Sequence, residues 1–114
     1  MSNCLFCKIA SKEIPAEFVL ETEELYAIKD IAPQAPVHLL IIPKKHLPSL
    51  LDISALDQTL IGQIHSAAVE LAKLFGLEAN GFRLVNNCLS DGGQAVPHLH
   101  FHLLGGRKMT WPPG

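Results

Sequence analysis

Three of the chain's six histidines lie at alternate positions, His98, His100 and His102. Because successive side chains of a β-strand point to opposite faces, this spacing places the three imidazoles together and the apolar residues between them on the core side. Neighbouring imidazoles would be about 7 Å apart, so a polar substrate could touch all three, whereas one metal ion does not usually take three such ligands. The pattern favours catalysis over a metal-binding strand or a solvent-facing strand that carries histidines by chance.

A glycine pair, Gly92 and Gly93 in the segment SDGGQ, precedes the histidines. Such a pair is usually a turn, but glycine backbone N–H groups can also turn toward an anion, as in phosphate-binding loops. Neutral imidazole is a good nucleophile near pH 7, and neighbouring imidazoles can donate hydrogen bonds to phosphoryl oxygens. The glycines and histidines together predict a site in which a histidine attacks phosphorus.

Cys4 and Cys7 form a Cys-x-x-Cys motif, and one helical turn would bring the two sulfurs together. The motif fits half of a zinc site, a redox pair, or two unpaired structural cysteines. A zinc site needs two more ligands, for which the candidates are the histidines at positions 38, 46, 65 and 98. Because the three cysteines are an odd number and provide no disulfide framework, we expect a cytoplasmic protein.

Local patterns predict the elements that position these residues, and their order indicates an α+β domain with a largely antiparallel sheet. One long helix begins at Ser54, has an apolar face of helical period, and ends at Gly76. We expect a short helix within 4–10 and loops at 30–36 and 87–94. Strands are predicted at 17–21 and 25–29, which form a hairpin, and at 37–42, 82–86 and 98–104.

Composition and charge limit the classes of partner. The 114 residues fit one domain, and 48% hydrophobic residues with a mean hydropathy of +0.24 slightly favour a buried subunit interface over a dense core. The net charge of −2, with basic pairs only at 44–45 and 107–108, argues against binding of duplex nucleic acid. No segment has the pattern of a signal peptide or the length of a membrane span, so we expect no membrane association.

The segment HLHFHLL (98–104) resembles the histidine triad motif of the HIT superfamily of nucleotide hydrolases and transferases. Residues 30–46, 81–87, 90–109 and the terminal WPPG resemble its Hint branch, the purine nucleoside phosphoramidases, over nearly the whole chain. The resemblance implies a single HIT domain over 1–114, with a five-stranded sheet, one long helix and a short N-terminal helix. It also implies a homodimer that binds a purine nucleoside monophosphate or phosphoramidate and cleaves the P–N bond through a covalent nucleotidyl-histidine, without a cofactor for the chemistry.

The resemblance also assigns roles to individual residues. His100 matches the nucleophile, His102 matches the histidine that bonds the phosphate, and His98 and His38 match the flanking histidines that orient the nucleophile and its surroundings. The carboxylate that accepts the ribose hydroxyls corresponds to Asp30. The remaining matches are Asn87, Gly93, Gln94 and Ala95 for the phosphate and leaving group, Leu5, Phe6, Ile9 and Ile31 around the base, and Trp111 reaching toward the partner's site.

Some bacterial members of the family resemble this chain in pairing the Cys-x-x-Cys with two histidines. This resemblance implies a structural zinc site made of Cys4, Cys7, His46 and His98, in which His98 is a metal ligand rather than a free catalytic group. Two departures from the Hint pattern concern Ala95, where Ser is common and helps the leaving group, and Pro97, where an aromatic residue is usual. A dinucleoside polyphosphate hydrolase, which the WPPG ending argues against, and a non-catalytic nucleotide- or metal-binding module are the alternatives.

Overall fold

The computed structural model describes residues 3–114, and its core element is a five-stranded sheet. The strands are β1 (Phe18–Glu21), β2 (Leu25–Lys29), β3 (Val37–Pro43), β4 (Phe82–Val85) and β5 (Phe101–Gly105). The helices are α1 (Leu5–Ala10), α2 (Gln58–Leu74) and the short α3 (Leu89–Gly92), with 3₁₀ turns at Leu50–Asp52 and Ala55–Asp57. All neighbouring strands are antiparallel in the order β1-β2-β3-β5-β4, which confirms the predicted α+β fold. Within residues 3–114, no helix combines the length and apolarity that a membrane span requires.

The long helix α2 packs on one face of the sheet, and the short helix α1 packs on the other. The long helix α2 packs its apolar stripe, which includes Ile64 and Leu71, on the first face, and this confirms the helical periodicity of the sequence. On the second face, the short α1 packs Phe6 and Ile9 against Tyr26 of β2 and neighbouring apolar residues of β3. Because α1 is only six residues long, the histidine-bearing part of this face extends beyond it.

The long helix begins later than the sequence predicts. Ser54 and Asp57 do form the expected capping box, in which the Ser54 N–H donates to the Asp57 carboxylate at 2.9 Å. The box closes a 3₁₀ turn first, and regular α-helix begins only at Gln58. Lys45 donates to the same carboxylate at 2.6 Å, and this bond keeps the pKa of Asp57 below its usual value.

The last strand also begins later than predicted, at Phe101 rather than at His98. The register that pairs Ile41 with Phe101 would place Pro43 opposite Leu99, and proline has no N–H to continue the ladder. The Leu99 N–H bonds instead to the Leu47 carbonyl at 2.7 Å. As a result, His98 and His100 precede β5 on backbone that the sheet does not pair, and His98 lies in a bend.

The segment predicted as a loop at 87–94 contains the one-turn helix α3, which is a second correction. Gly93 ends this helix in the left-handed conformation, with φ of 78°, where glycine has no steric penalty. The Gln94 side chain accepts the Leu89 N–H at 2.8 Å and so closes the turn on itself.

Gly105 should tolerate no side chain, because Leu77 in the turn after α2 lies directly over it. An alanine Cβ at this position would lie 2.6 Å from Cδ1 of Leu77, which is itself buried. We expect Gly105→Ala to lower the free energy of unfolding by about 1–3 kcal/mol, measured by urea denaturation. The matched control is Gly62→Ala on the exposed side of α2, where no atom lies within 4 Å of the added Cβ. This change should raise the free energy of unfolding by about 0.5–1 kcal/mol. Equal shifts in the two variants would contradict the packing argument.

Candidate active site and metal centre

Two adjacent strands and the segment that leads into one of them bring four histidines together. His38 lies on β3 and His102 on β5, and their ring nitrogens Nε2 and Nδ1 are 2.9 Å apart. The ring of His100 lies 5.1 Å from that of His102 between centroids, and His98 precedes it on the segment that leads into β5. The apolar residues between the histidines point into the core under α2, as the alternation predicts.

The position of the proton on His100 follows from a backbone contact. Its Nδ1 lies 2.7 Å from the carbonyl oxygen of His98. A carbonyl can only accept, so Nδ1 carries the proton and Nε2 keeps its lone pair. Asn86 donates to the His100 carbonyl at 3.0 Å and fixes the backbone from the other side. This arrangement prepares Nε2 of His100 as a nucleophile.

A chain of two hydrogen bonds fixes the proton on His102 in the opposite sense. The Gln34 N–H donates to Nδ1 of His38 at 3.0 Å, so the proton of His38 lies on Nε2. That N–H donates to Nδ1 of His102, which leaves the His102 proton on Nε2. The Asp30 carboxylate lies 3.4 Å from Nε2 of His38 and adds a negative charge beside the chain. His102 therefore presents an N–H donor next to the free lone pair on Nε2 of His100.

Burial keeps His102 neutral at physiological pH. Desolvation is the largest influence, and the neighbouring His100 and His38 act in the same direction, so the pKa of His102 falls to about 4. Asp30 opposes the shift. His102 consequently donates as a neutral imidazole and not as an imidazolium cation.

This shift predicts that acid weakens the fold through His102. Between pH 6.5 and about 4, the unfolded chain binds a proton at this histidine and the folded chain does not, so the free energy of unfolding falls as the pH falls. Denaturation at pH 7.0, 5.5 and 4.5 should show a shallower pH dependence for His102→Gln than for the wild type. His65→Gln, which changes an exposed histidine of α2, is the control and should keep the wild-type slope. Parallel curves for His102→Gln and the wild type would disprove the assignment.

Cys4, Cys7, His46 and His98 form a cluster whose four ligand atoms all lie within 4.8 Å of one another. Nδ1 of His98 lies 3.1 Å from Sγ of Cys4 and 3.1 Å from Nδ1 of His46, and Sγ of Cys7 lies 3.3 Å from the same His46 atom. Tetrahedral zinc with these ligands has neighbouring donor atoms about 3.3–3.8 Å apart, so the spacing fits after small adjustments.

The surroundings of the cluster fit a metal as well as its spacing does. Nε2 of His98 donates to the Pro43 carbonyl at 2.8 Å, and this bond turns the lone pair of Nδ1 toward the two sulfurs. Burial, followed by the hydrogen bond and charge of Cys4, raises the pKa of Cys7 to about 11. A divalent metal held by the two sulfurs would favour the thiolate form of Cys7 that burial opposes.

The cluster of Asp30, His38 and His102 has a similar ligand set but does not fit a metal. A metal on Nε2 of His38 would move the proton of that ring to Nδ1. Nδ1 already receives the Gln34 N–H, so two N–H groups would face each other at 3.0 Å. The hydrogen bonds of these three residues therefore place a proton where a metal would bind, whereas the spacing of the cysteine-containing cluster is compatible with a metal.

The residues expected at the phosphate and leaving group lie on the turn that follows β4. Asn87 is half-buried, and Gly93 and Ala95 are exposed. Gln94 uses its side chain inside the turn, because its amide donates to the Pro48 and Val96 carbonyls at 2.7 and 2.9 Å and its oxygen accepts from α3. The Gln94 side chain can therefore shape the turn but has no free group for a substrate.

The residues expected around the base separate into two groups. Leu5 and Ile31 are exposed, at 43% and 101% of full accessibility. Phe6 and Ile9 are buried on the inner side of α1, and the Phe6 ring packs edge-on against His98 and His100 at 5.8 and 5.1 Å between centroids. Trp111, near the C-terminus, is 82% exposed and does not pack on its own subunit.

Sequence reasoning missed two residues that hold the histidines. Gln34 acts through its backbone N–H, for which no side-chain pattern exists. Asn86 acts through its side chain, and its Oδ1 is buried without a hydrogen-bond partner among the described residues. A polar residue directly after an apolar strand was the available signal for Asn86.

Comparisons with known proteins identify relatives that share this fold over nearly the whole chain. The family model described as HIT domain matches residues 11–109. A HIT family hydrolase from Legionella pneumophila has 56% sequence identity and a TM-score of 0.96, covering 98% of this chain and 100% of that one. A histidine triad protein from Clostridium difficile has 45% identity and a TM-score of 0.93, with 96% of both chains covered. A HIT-like protein of Synechococcus elongatus is 47% identical over 98% of this chain and 97% of its own length.

Proposed function

Because this chain belongs to the HIT domain family, we propose that it hydrolyses purine nucleoside phosphoramidates through a covalent nucleotide on His100. The observation that carries the proposal is a pair of contacts, Nδ1 of His100 on the His98 carbonyl and Nδ1 of His102 on Nε2 of His38. Together they imply a free lone pair on Nε2 of His100 beside an N–H donor on Nε2 of His102. A nucleophile adjacent to a neutral donor suits attack on phosphorus, where negative charge must be stabilised on the phosphoryl oxygens.

In the first step, Nε2 of His100 attacks phosphorus, and the P–N bond breaks with its electron pair leaving on nitrogen, which takes up a proton. His102 donates to a phosphoryl oxygen, and the positive charge on the modified His100 ring is stabilised by its Nδ1–H bond to the His98 carbonyl. In the second step, water attacks phosphorus, the P–N bond to His100 breaks, and the nucleotide leaves. Because Ala95 offers no hydroxyl to the leaving group, amines that bring their own proton should react best.

The nucleotide would lie across the open part of the second sheet face. Asp30 accepts the ribose hydroxyls, the exposed Leu5 and Ile31 contact the purine, and the buried Phe6 and Ile9 support this wall from below. The turn containing Asn87 and Gly93 would contact the phosphate. A protein of similar structure from Candida albicans, described as a histidine triad nucleotide-binding protein, has 34% identity and a TM-score of 0.83, which supports a nucleotide as the ligand.

We further propose a homodimer, in which Trp111 and the residues after it reach the partner's site. The support is a set of exposed apolar side chains on the edge strand β4, on α2 and in the C-terminal tail: Phe82, Val69, Leu74 and Trp111. A dimer that buries them would also explain the apolar composition.

Structural zinc would be held by Cys4, Cys7, His46 and His98. The donor set and the bond from His98 to the Pro43 carbonyl support this proposal. Zinc supplies a fixed cross-link between α1 and the segment that carries His100. All three cysteines are free thiols, as the proposed cytoplasmic location requires.

The deciding experiment is steady-state hydrolysis of adenosine 5′-phosphoramidate, with acid-free trapping of the intermediate and mass spectrometry of the peptide that contains His100. Turnover with an AMP adduct on His100 is the expected result. Preferred hydrolysis of diadenosine tetraphosphate would replace the proposal with a dinucleoside polyphosphate hydrolase. AMP binding without turnover of either substrate would indicate a nucleotide-binding module.

A further inference from the structure

The two cysteines of the metal cluster lie on one helical turn, with a geometry that also suits a bond between them. Cys4 is the N-cap of α1, and its Sγ accepts the Cys7 N–H at 3.4 Å. The two sulfurs lie within 4.8 Å of each other, and both residues are partly exposed. Side-chain rotation within a Cys-x-x-Cys turn can close such a gap to the length of a disulfide.

The residues enclosed by this pair belong to the proposed substrate site. Leu5 and Phe6 lie between the cysteines, and Phe6 packs edge-on against both His98 and His100. The Phe6 carbonyl also accepts the hydroxyl of Tyr26 at 2.7 Å, so the backbone inside the turn is tied to the sheet. A covalent bond across Cys4 and Cys7 would therefore strain the wall of the base site and the packing of the nucleophile together.

The metal cluster provides a second connection between the same cysteines and the nucleophile. His98 is a member of the cluster through Nδ1, and its carbonyl holds Nδ1–H of His100. If the sulfurs bond to each other, the cluster keeps only His46 and His98, which are too few ligands for a structural zinc site. The position of the His98 backbone would then depend on its hydrogen bonds alone.

We propose that Cys4 and Cys7 are a reversible redox site, in which oxidation by a peroxide forms a disulfide, excludes the metal and weakens nucleotide binding. One sulfur attacks a peroxide oxygen, giving a sulfenic acid and water. The second sulfur displaces hydroxide from that sulfenic acid, so two electrons pass from the thiols to the peroxide and a second water forms. A dithiol reductant reverses the step, and zinc can then bind again.

The chemical part of this proposal is tested on the zinc-loaded protein with hydrogen peroxide. Thiol titration should fall from three groups to one, the intact mass should fall by two hydrogens, and a chromophoric chelator should detect the released zinc. Peptide mapping should show Cys4 joined to Cys7, with Cys88 still a free thiol. Three unreacted thiols, a disulfide to Cys88, or a bond between two chains would overturn the proposal.

The functional part rests on the proposed function and has its own readout. AMP affinity of the oxidised protein, measured by calorimetry, should be roughly tenfold weaker, and reduction with added zinc should restore it. Cys88→Ser should show the same response, because Cys88 lies at the start of α3 outside the cluster, whereas Cys4→Ser should show none. A disulfide that leaves AMP affinity unchanged would overturn the coupling, and a reduced protein that never binds AMP would instead count against the proposed function. If Cys4→Ser does not fold, the peptide map of the wild type still decides the redox site.

Discussion

Replacing His100 with alanine should lower kcat for adenosine 5′-phosphoramidate by about 10⁴-fold or more, since no other described group can form the covalent intermediate. The structure commits the remaining imidazoles elsewhere: Nδ1 of His98 faces the cysteines, and the protons of His38 and His102 are fixed by the chain from Gln34. Loss of the His100 ring removes the nucleophile but leaves these contacts in place. AMP affinity should therefore change by less than about tenfold.

The size of the loss in kcat distinguishes a nucleophile from a residue that only stabilises the phosphoryl group. His102→Ala removes one donor to the phosphoryl group and should cost about 10²–10³-fold in kcat, clearly less than His100→Ala. His65→Ala, on the exposed side of α2, should keep the wild-type rate and serves as the matched histidine control. A His100→Ala protein that retains more than a tenth of the wild-type kcat would show that phosphorus is attacked by another group.

The fold was predictable where the local pattern and the tertiary structure agree. The hairpin of β1 and β2, the buried β3 and the apolar face of α2 follow from residue periodicity, and the boundaries of these strands are correct to within about one residue. The errors lie where a distant partner decides the backbone. His98 lies outside β5 because Pro43, more than fifty residues earlier, cannot continue the ladder.

The residue types of the site could be predicted from the sequence, but the ring nitrogen that carries the proton in each histidine could not. Alternation in the sequence places the triad on one face, and the Cys-x-x-Cys motif indicates half of a metal site. The tautomers depend on the Gln34 N–H and on the carbonyls of His98 and Pro43. Every residue type has such backbone groups, so the sequence does not indicate which of them contact a histidine. The same backbone N–H of Gln34 decides that Asp30, His38 and His102, which the structure brings together, do not fit a metal.

Removing the metal should produce the second large effect, on both stability and rate. Cys7→Ser removes one sulfur ligand, so the purified variant should contain less than about a tenth of the zinc of the wild type. Loss of a bound metal of ordinary affinity lowers the free energy of unfolding by about 2–4 kcal/mol. This loss should lower Tm by about 10 °C or more in a chain of this size. Metal analysis and calorimetry measure these two quantities on the same sample.

The rate should fall in the metal-free protein because His98, the proposed zinc ligand, also holds the Nδ1 proton of His100, the proposed nucleophile. Freed from the cluster, the His98 carbonyl no longer fixes Nδ1–H of His100, and kcat should fall by about tenfold while the proton chain from Gln34 to His102 persists. Cys88→Ser, outside the cluster, should keep the zinc, the Tm and the rate of the wild type. Full activity in a zinc-free Cys7→Ser protein would show that the cluster stabilises α1 without positioning His100, whereas equal losses in Cys88→Ser would show that cysteine replacement, and not the metal, causes the defect.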